Sequence, residues 1–151
     1  MDLAAELGAV SRALEARGVA HAFCGAVALA VHGVPRATRD LDVLVAPAHL
    51  DAARAAAADA GFAVEALPIT FTSTGVEARR FTKLAGSEHL TLDVLLAAGP
   101  LARALDDAET LTWAEGTLRV VSRATLVAMK ALAGRPQDLA DLARLQELDD
   151  G

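Results

Sequence analysis

Asp40 and Asp42 stand two residues apart at the start of an apolar, branched run, Asp40-Leu41-Asp42-Val43-Leu44-Val45. Alternate residues of a strand point to the same face, so the two carboxylates project together while Leu41 and Val43 turn into the core. Two carboxylates so placed repel unless a cation lies between them. Hard oxygen donors of this kind suit Mg²⁺, which also takes waters and phosphate oxygens. Upstream, Gly25-Ala26 follows an apolar strand candidate and opens a short apolar segment. A helix beginning there presents unpaired N–H groups and a positive dipole end, to which phosphates bind readily. Glycine lets them approach the backbone closely. Downstream, Asp93 interrupts the run Thr91-Leu92-Asp93-Val94-Leu95-Leu96. Aspartate is disfavoured in strands and costly to bury alone, so it requires a partner. A metal shared with Asp40 and Asp42 is one such partner, and a third carboxylate can hold the second ion of a two-metal site. An ion pair with Arg36 or Arg39 is the other.

Further polar residues admit two readings each. Lys130 follows Leu126 by four residues and so borders the buried face of its helix. It could reach a phosphate as a mobile point charge, or lie along the surface as a snorkelling side chain. Asp138 and Asp141 could orient Lys130 or Arg135, or favour a helix start through its dipole; the helix-start role is the expectation. His32 is expected to satisfy a carbonyl at a helix end, with substrate positioning as the other reading. Arg36 and Thr38 lie on the loop entering the Asp40 strand, where they touch phosphate or acceptor, or pin the loop. Cys24 reads as a small buried residue at a strand end.

The elements that must position these residues follow from periodicity. Leu3, Leu7, Val10 and Leu14 mark an amphipathic helix that Gly18 stops. Strands are expected over 19–24, 41–45, 62–67, 77–84 and 89–96, the last two joined at Ala85-Gly86-Ser87, with a Thr/Ser-rich loop or strand edge over 68–76. Short helices are expected from 25 to 30, 49 to 60 and 100 to 107. A hairpin over 110–121 turns about Glu115-Gly116. Ser122 is placed to cap a helix over 123–133, broken by Gly134-Arg135-Pro136. Leu139, Leu142, Leu145 and Leu148 are expected to form the buried stripe of a last helix. The mixed order predicts an α+β domain with one mixed sheet, residues 1–151 forming a single unit.

Composition narrows the function classes. The net charge is −6 and aromatics make up 3% of 151 residues. A general basic face for nucleic acid and an aromatic stacking platform are both disfavoured. One cysteine permits no intrachain disulfide. The start of the chain lacks the basic and apolar pattern of a signal peptide, and no apolar stretch approaches a membrane span. The expected location is the cytoplasm. There is no Cys/His cluster with zinc spacing and no nucleophile elbow.

The stretch from Phe23 to Val45, FCGAVALAVHGVPRATRDLDVLV, resembles the signature of the DNA polymerase β-like nucleotidyltransferase superfamily. That signature is Gly with Gly or Ser, a short helix, an acidic-x-acidic strand and a later acidic strand residue. The pattern from Ala28 to Asp42, with Lys130, Arg135, Asp138 and Asp141 later, is similar to small bacterial members that include abortive-infection, type IV toxin–antitoxin toxins. The resemblance implies a mixed sheet flanked by helices with a C-terminal helix pair. It implies Mg²⁺ on Asp40, Asp42 and Asp93, and a nucleoside triphosphate held by Gly25, Ala26, Arg36, Thr38 and Lys130. The reaction it implies moves a nucleoside monophosphate to an acceptor hydroxyl on a small molecule, tRNA or protein. The alternative is a non-catalytic module acting through a cognate toxin or antitoxin protein. Ala26 departs from the pattern: it keeps the backbone N–H but lacks a serine hydroxyl.

Overall fold

The computed structural model describes residues 1–150. Helix α1 (Leu3–Ala16) begins where the Asp2 carboxylate accepts hydrogen bonds from the amides of Ala4 and Ala5. It buries Leu7, Val10 and Leu14, as the helical spacing requires. Strand β1 (His21–Cys24) runs directly into α2 (Gly25–Val31), and β2 (Asp40–Val45) follows the loop that holds Arg36 and Thr38. A 3₁₀ turn at Pro47–His49 leads into α3 (Leu50–Asp59).

Strands β3 (Val64–Glu65), β4 (Ile69–Phe71), β5 (Val76–Ala85) and β6 (Glu88–Leu96) come next. Strands β7 (Glu109–Trp113) and β8 (Gly116–Val120) form the expected hairpin. Helices α4 (Arg123–Ala133) and α5 (Pro136–Asp150) end the chain. Ser122 caps α4 by accepting from the Thr125 amide at 3.0 Å, and Gly134 closes it in the left-handed region at φ +61°.

One mixed sheet runs in the order β3-β5-β6-β2-β1-β8-β7, with β4 also paired to β5. The β2–β6 and β1–β8 pairs are parallel and the other neighbours antiparallel. Helices α1 and α3 pack together away from the Asp42 cavity, whereas α2 packs on α4 and α4 on α5 beside it. Phe23, Phe62 and Phe81 are the largest fully buried side chains, and their core also takes in Leu41, Val43 and Leu92.

Three expected elements differ. The strand over 62–67 shortens to β3, because Phe62 is drawn fully into the core while Val64 and Leu67 remain exposed. The helix over 100–107 is only a 3₁₀ turn, Gly99–Leu101, followed by i→i+3 turns. Asp106-Asp107 at the end of this segment oppose a helix dipole. The leucine stripe of α5 is also displaced. Leu139 and Leu148 are exposed, and the buried face instead carries Asp138, Asp141 and Leu145. The aspartates can turn inward because cations meet them there.

Candidate active site

The sheet register aligns the chemistry. Cys24 on β1 pairs with Asp42 on β2, Asp42 with Asp93 on β6, and Asp93 with Arg80 on β5. Residues directly opposite one another share a face, so Asp42 and Asp93 project side by side, and Asp40 projects on the same face two residues along β2. All three line one cavity of about 500 Å³. Gly25 and Ala26 at the start of α2, and Lys130 and Arg135 from the C-terminal helices, line it too. Leu95, Leu101, Leu126 and Met129 form an apolar wall.

Gly25 is required where it stands. Its φ is +58°, and a Cβ there would overlap the Asp42 Oδ2 atom. Any side chain would therefore be strained and would push Asp42 off the start of α2. Asp42 is itself held at a cost. Burial, then the negative charges of Asp93 and Asp40, push its carboxyl up to about 6.

Asp93 is paired differently from either expected arginine. The Arg80 guanidinium donates from Nε to Oδ1 at 2.8 Å and from Nη2 to Oδ2 at 2.9 Å, a two-bond fork. Arg36 instead donates to Asp141 Oδ1 at 2.7 Å. Thr38 fastens the loop to its own strand, accepting from the Asp40 amide at 3.0 Å and donating to the Asp40 carbonyl at 3.1 Å. Both residues thus pin the loop while still lining the cavity.

Sequence reasoning passed over Arg80. A signal for it existed, because counting outward from the Gly86-Ser87 turn brings Arg80 opposite Asp93.

Lys130 neither snorkels nor moves freely. It is 7% exposed, with Nζ 3.3 Å from Asp138 Oδ1 and 3.0 Å from Asp141 Oδ2. The two aspartates are 1% exposed, so their role goes beyond a helix start. Burial alone would raise both carboxyls. Hydrogen bonds and charge from Arg135 hold Asp138 below its usual range, and Lys130, Gln137 and Arg36 do the same for Asp141. Asp138 also accepts from the Arg135 amide at 3.1 Å, so it serves the start of α5 as well. His32 meets the expectation for a helix end: its Nε2 lies 2.9 Å from the Val121 carbonyl, which requires that nitrogen to carry the proton. Cys24 is buried, as expected for its strand end.

Among the described residues, no three His, Cys, Asp or Glu side chains are gathered closely enough to hold one metal ion. Arg80 engages both oxygens of Asp93. Asp40 and Asp42 form no ion pair with a described residue, in contrast to Asp93, Asp138 and Asp141. Two unpaired carboxylates, one raised by burial and by its neighbours' charge, are a donor set that suits a hard divalent cation.

The family model for the nucleotidyl transferase AbiEii toxin of type IV toxin–antitoxin systems matches residues 10–151. The chain belongs to that family. No curated protein sequence is recognisably similar to this AbiEii-family chain. Among solved structures it is similar to JHP933 from Helicobacter pylori, with a TM-score of 0.57 and 16% identity over 95% of the chain. The chain spans 64% of the length of that protein. It is similar to the antibiotic-resistance factor ANT(2'')-Ia in its solution structure, with a TM-score of 0.57 and 16% identity, covering 100% of this chain and 86% of the other. The crystal structure of ANT(2'')-Ia in complex with adenylyl-2''-tobramycin gives a TM-score of 0.55 and 18% identity, covering 95% of this chain and 86% of the other. At such identities the likeness is one of fold: the AbiEii-family chain has the α+β nucleotidyltransferase architecture. No helix among the described residues is long and apolar enough to cross a membrane.

Proposed function

We propose that this protein is a Mg²⁺-dependent nucleotidyltransferase that moves a nucleoside monophosphate from a nucleoside triphosphate to an acceptor hydroxyl. The observation that carries the reading is the alignment of Asp42 and Asp93 on adjacent strands, with Asp40 on the same face and Gly25 against Asp42. Asp40 and Asp42 would hold Mg²⁺, and Asp93 would serve as a ligand once its carboxylate is released from Arg80. Bound there, the metal would neutralise triphosphate charge and lower the pKa of the acceptor hydroxyl.

The chain's own groups do the rest. Gly25 and Ala26 line the cavity at the start of α2, where their backbone amides would bind phosphate oxygens. Lys130 and Arg135 bring positive charge, which already acts on Asp42, and oppose the charge that builds on leaving pyrophosphate. Lys130 acts from a fixed position, through its field. Arg36 and Thr38 keep the Asp40 loop in place. The acceptor is a hydroxyl of a small molecule, a tRNA end or a protein side chain. The adenylylated tobramycin bound by ANT(2'')-Ia supports the small-molecule class. The nucleotide supply of the cytoplasm is where this chemistry would run.

The direct test is Mg²⁺-dependent pyrophosphate release with each nucleoside triphosphate and a panel of acceptors. Release is expected with wild type, and a loss of about 10²-fold or more with Asp42→Ala. Release that persists undiminished in Asp42→Ala would falsify the assignment.

A second reading has its own support. Ala26 replaces the usual Gly or Ser, and Arg80 occupies Asp93. Both favour a non-catalytic module that binds nucleotide and acts through a cognate toxin or antitoxin protein. Calorimetry with Mg²⁺ and ATP separates the two: binding without pyrophosphate release supports the module.

A further inference from the structure

We propose that Arg80 is the resident counter-ion of Asp93 and competes with a divalent cation for that carboxylate, so that an ion spanning Asp42 and Asp93 displaces the guanidinium. The proposal rests on the metal-site reading above and adds to it a residue outside the sequence signature.

The geometry gives Arg80 this place. The β5–β6 register sets Arg80 directly opposite Asp93, and β2–β6 sets Asp93 directly opposite Asp42. Arg80 therefore stands at the far end of the carboxylate row from Gly25. Its fork engages both Asp93 oxygens at 2.8 and 2.9 Å. A divalent ion touching Asp93 would lie within a few ångströms of the guanidinium, where like charges repel strongly in a partly desolvated site. Both cations cannot hold the same carboxylate well.

The partners also differ in freedom. The Asp93 side chain is 13% exposed and fixed by a central strand, whereas the Arg80 side chain is 45% exposed and lines the open cavity. Arginine is the partner that can leave. The Lys130–Asp138–Asp141 cluster lacks this asymmetry: its ammonium and both carboxylates are almost fully buried. Without an ion, Arg80 keeps Asp93 aimed into the cavity and offsets one of three crowded negative charges.

The test is Mn²⁺ binding, followed as free Mn²⁺ by electron paramagnetic resonance, in the intact chain without nucleotide. Arg80→Gln is expected to bind at least about fivefold tighter than wild type, the scale of an exposed to half-buried ion pair. In the Asp93→Asn background the same substitution should change affinity less than about twofold, because the contested carboxylate is gone. Arg80→Lys, which keeps the charge but loses the fork, is expected between wild type and Arg80→Gln, and serves if the glutamine variant does not fold. Equal or weaker binding by Arg80→Gln overturns the proposal, as does a gain that persists in Asp93→Asn. Absence of Mn²⁺ binding in every variant overturns the metal-site reading along with it. Binding in wild type that Asp42→Ala leaves unchanged puts the ion elsewhere and overturns both.

Discussion

At neutral pH Asp42 is ionised against both its burial and the charges of Asp93 and Asp40. The consequence for stability has a definite sign. Its carboxyl titrates near 6 in the fold but near 4 in the unfolded chain, so the folded state binds the proton more tightly. Below about pH 4 both states are protonated and the contribution is fully present; it is lost as pH rises toward 6. Asp42→Asn, which removes the titration, should therefore be more stable than wild type at pH 7 by about 3 kcal/mol, with the difference shrinking toward pH 4. Urea unfolding at a series of pH values checks this. A flat difference would mean that Asp42 is not the strained carboxylate described here. Stabilisation with loss of activity is the pattern of a site whose charges are arranged for a ligand rather than for the fold.

Between elements, the α4–α5 clasp has the opposite pH behaviour. Asp138 and Asp141 are held below the usual carboxylate range despite burial. Their contribution is present above about pH 4, the unfolded value, and is lost as pH falls through the lower folded values. Lys130→Met removes the ammonium they share and leaves two buried charges with less compensation. It should cost about 3 kcal/mol at pH 7 by urea unfolding, with the cost falling in acid as the aspartates take up protons. A loss below about 1 kcal/mol would show that Arg135 and Arg36 suffice.

The start of α4 gives a smaller test. Ser122 accepts from the Thr125 amide and donates to Asp107 Oδ2 at 2.8 Å, while Thr125 Oγ1 donates to Asp107 Oδ1 at 3.0 Å. Ser122→Ala should cost about 1 kcal/mol in thermal or urea unfolding, the ordinary worth of a helix cap. Because α4 forms one wall of the cavity, a larger loss of pyrophosphate release than of stability would indicate that this cap also sets the position of Lys130.

Across the molecule, what could be read early and what could not divides along local and long-range interactions. The Asp40–Asp42 pair, the Gly25 turn, the Ser122 cap and the β5–β6 hairpin are local, and each was legible from residue types and spacing. The stripe of α5 was misread because leucine spacing says which residues could be buried, not which surface a helix will meet. Asp138 and Asp141 took the inner face because Lys130 and Arg36 arrived from other segments, beside the local Arg135 at the start of α5. The amino-acid sequence alone determined the chemistry on offer: three strand carboxylates, a glycine-led helix start and the family that combines them. Only tertiary pairing decided that Asp42 would lie between Cys24 and Asp93, that Arg80 rather than Arg36 or Arg39 would hold Asp93, and that Lys130 would be clasped. The reason is physical: alternation along a strand fixes a side chain's face, but which charge stands beside it depends on a neighbour brought from far along the chain.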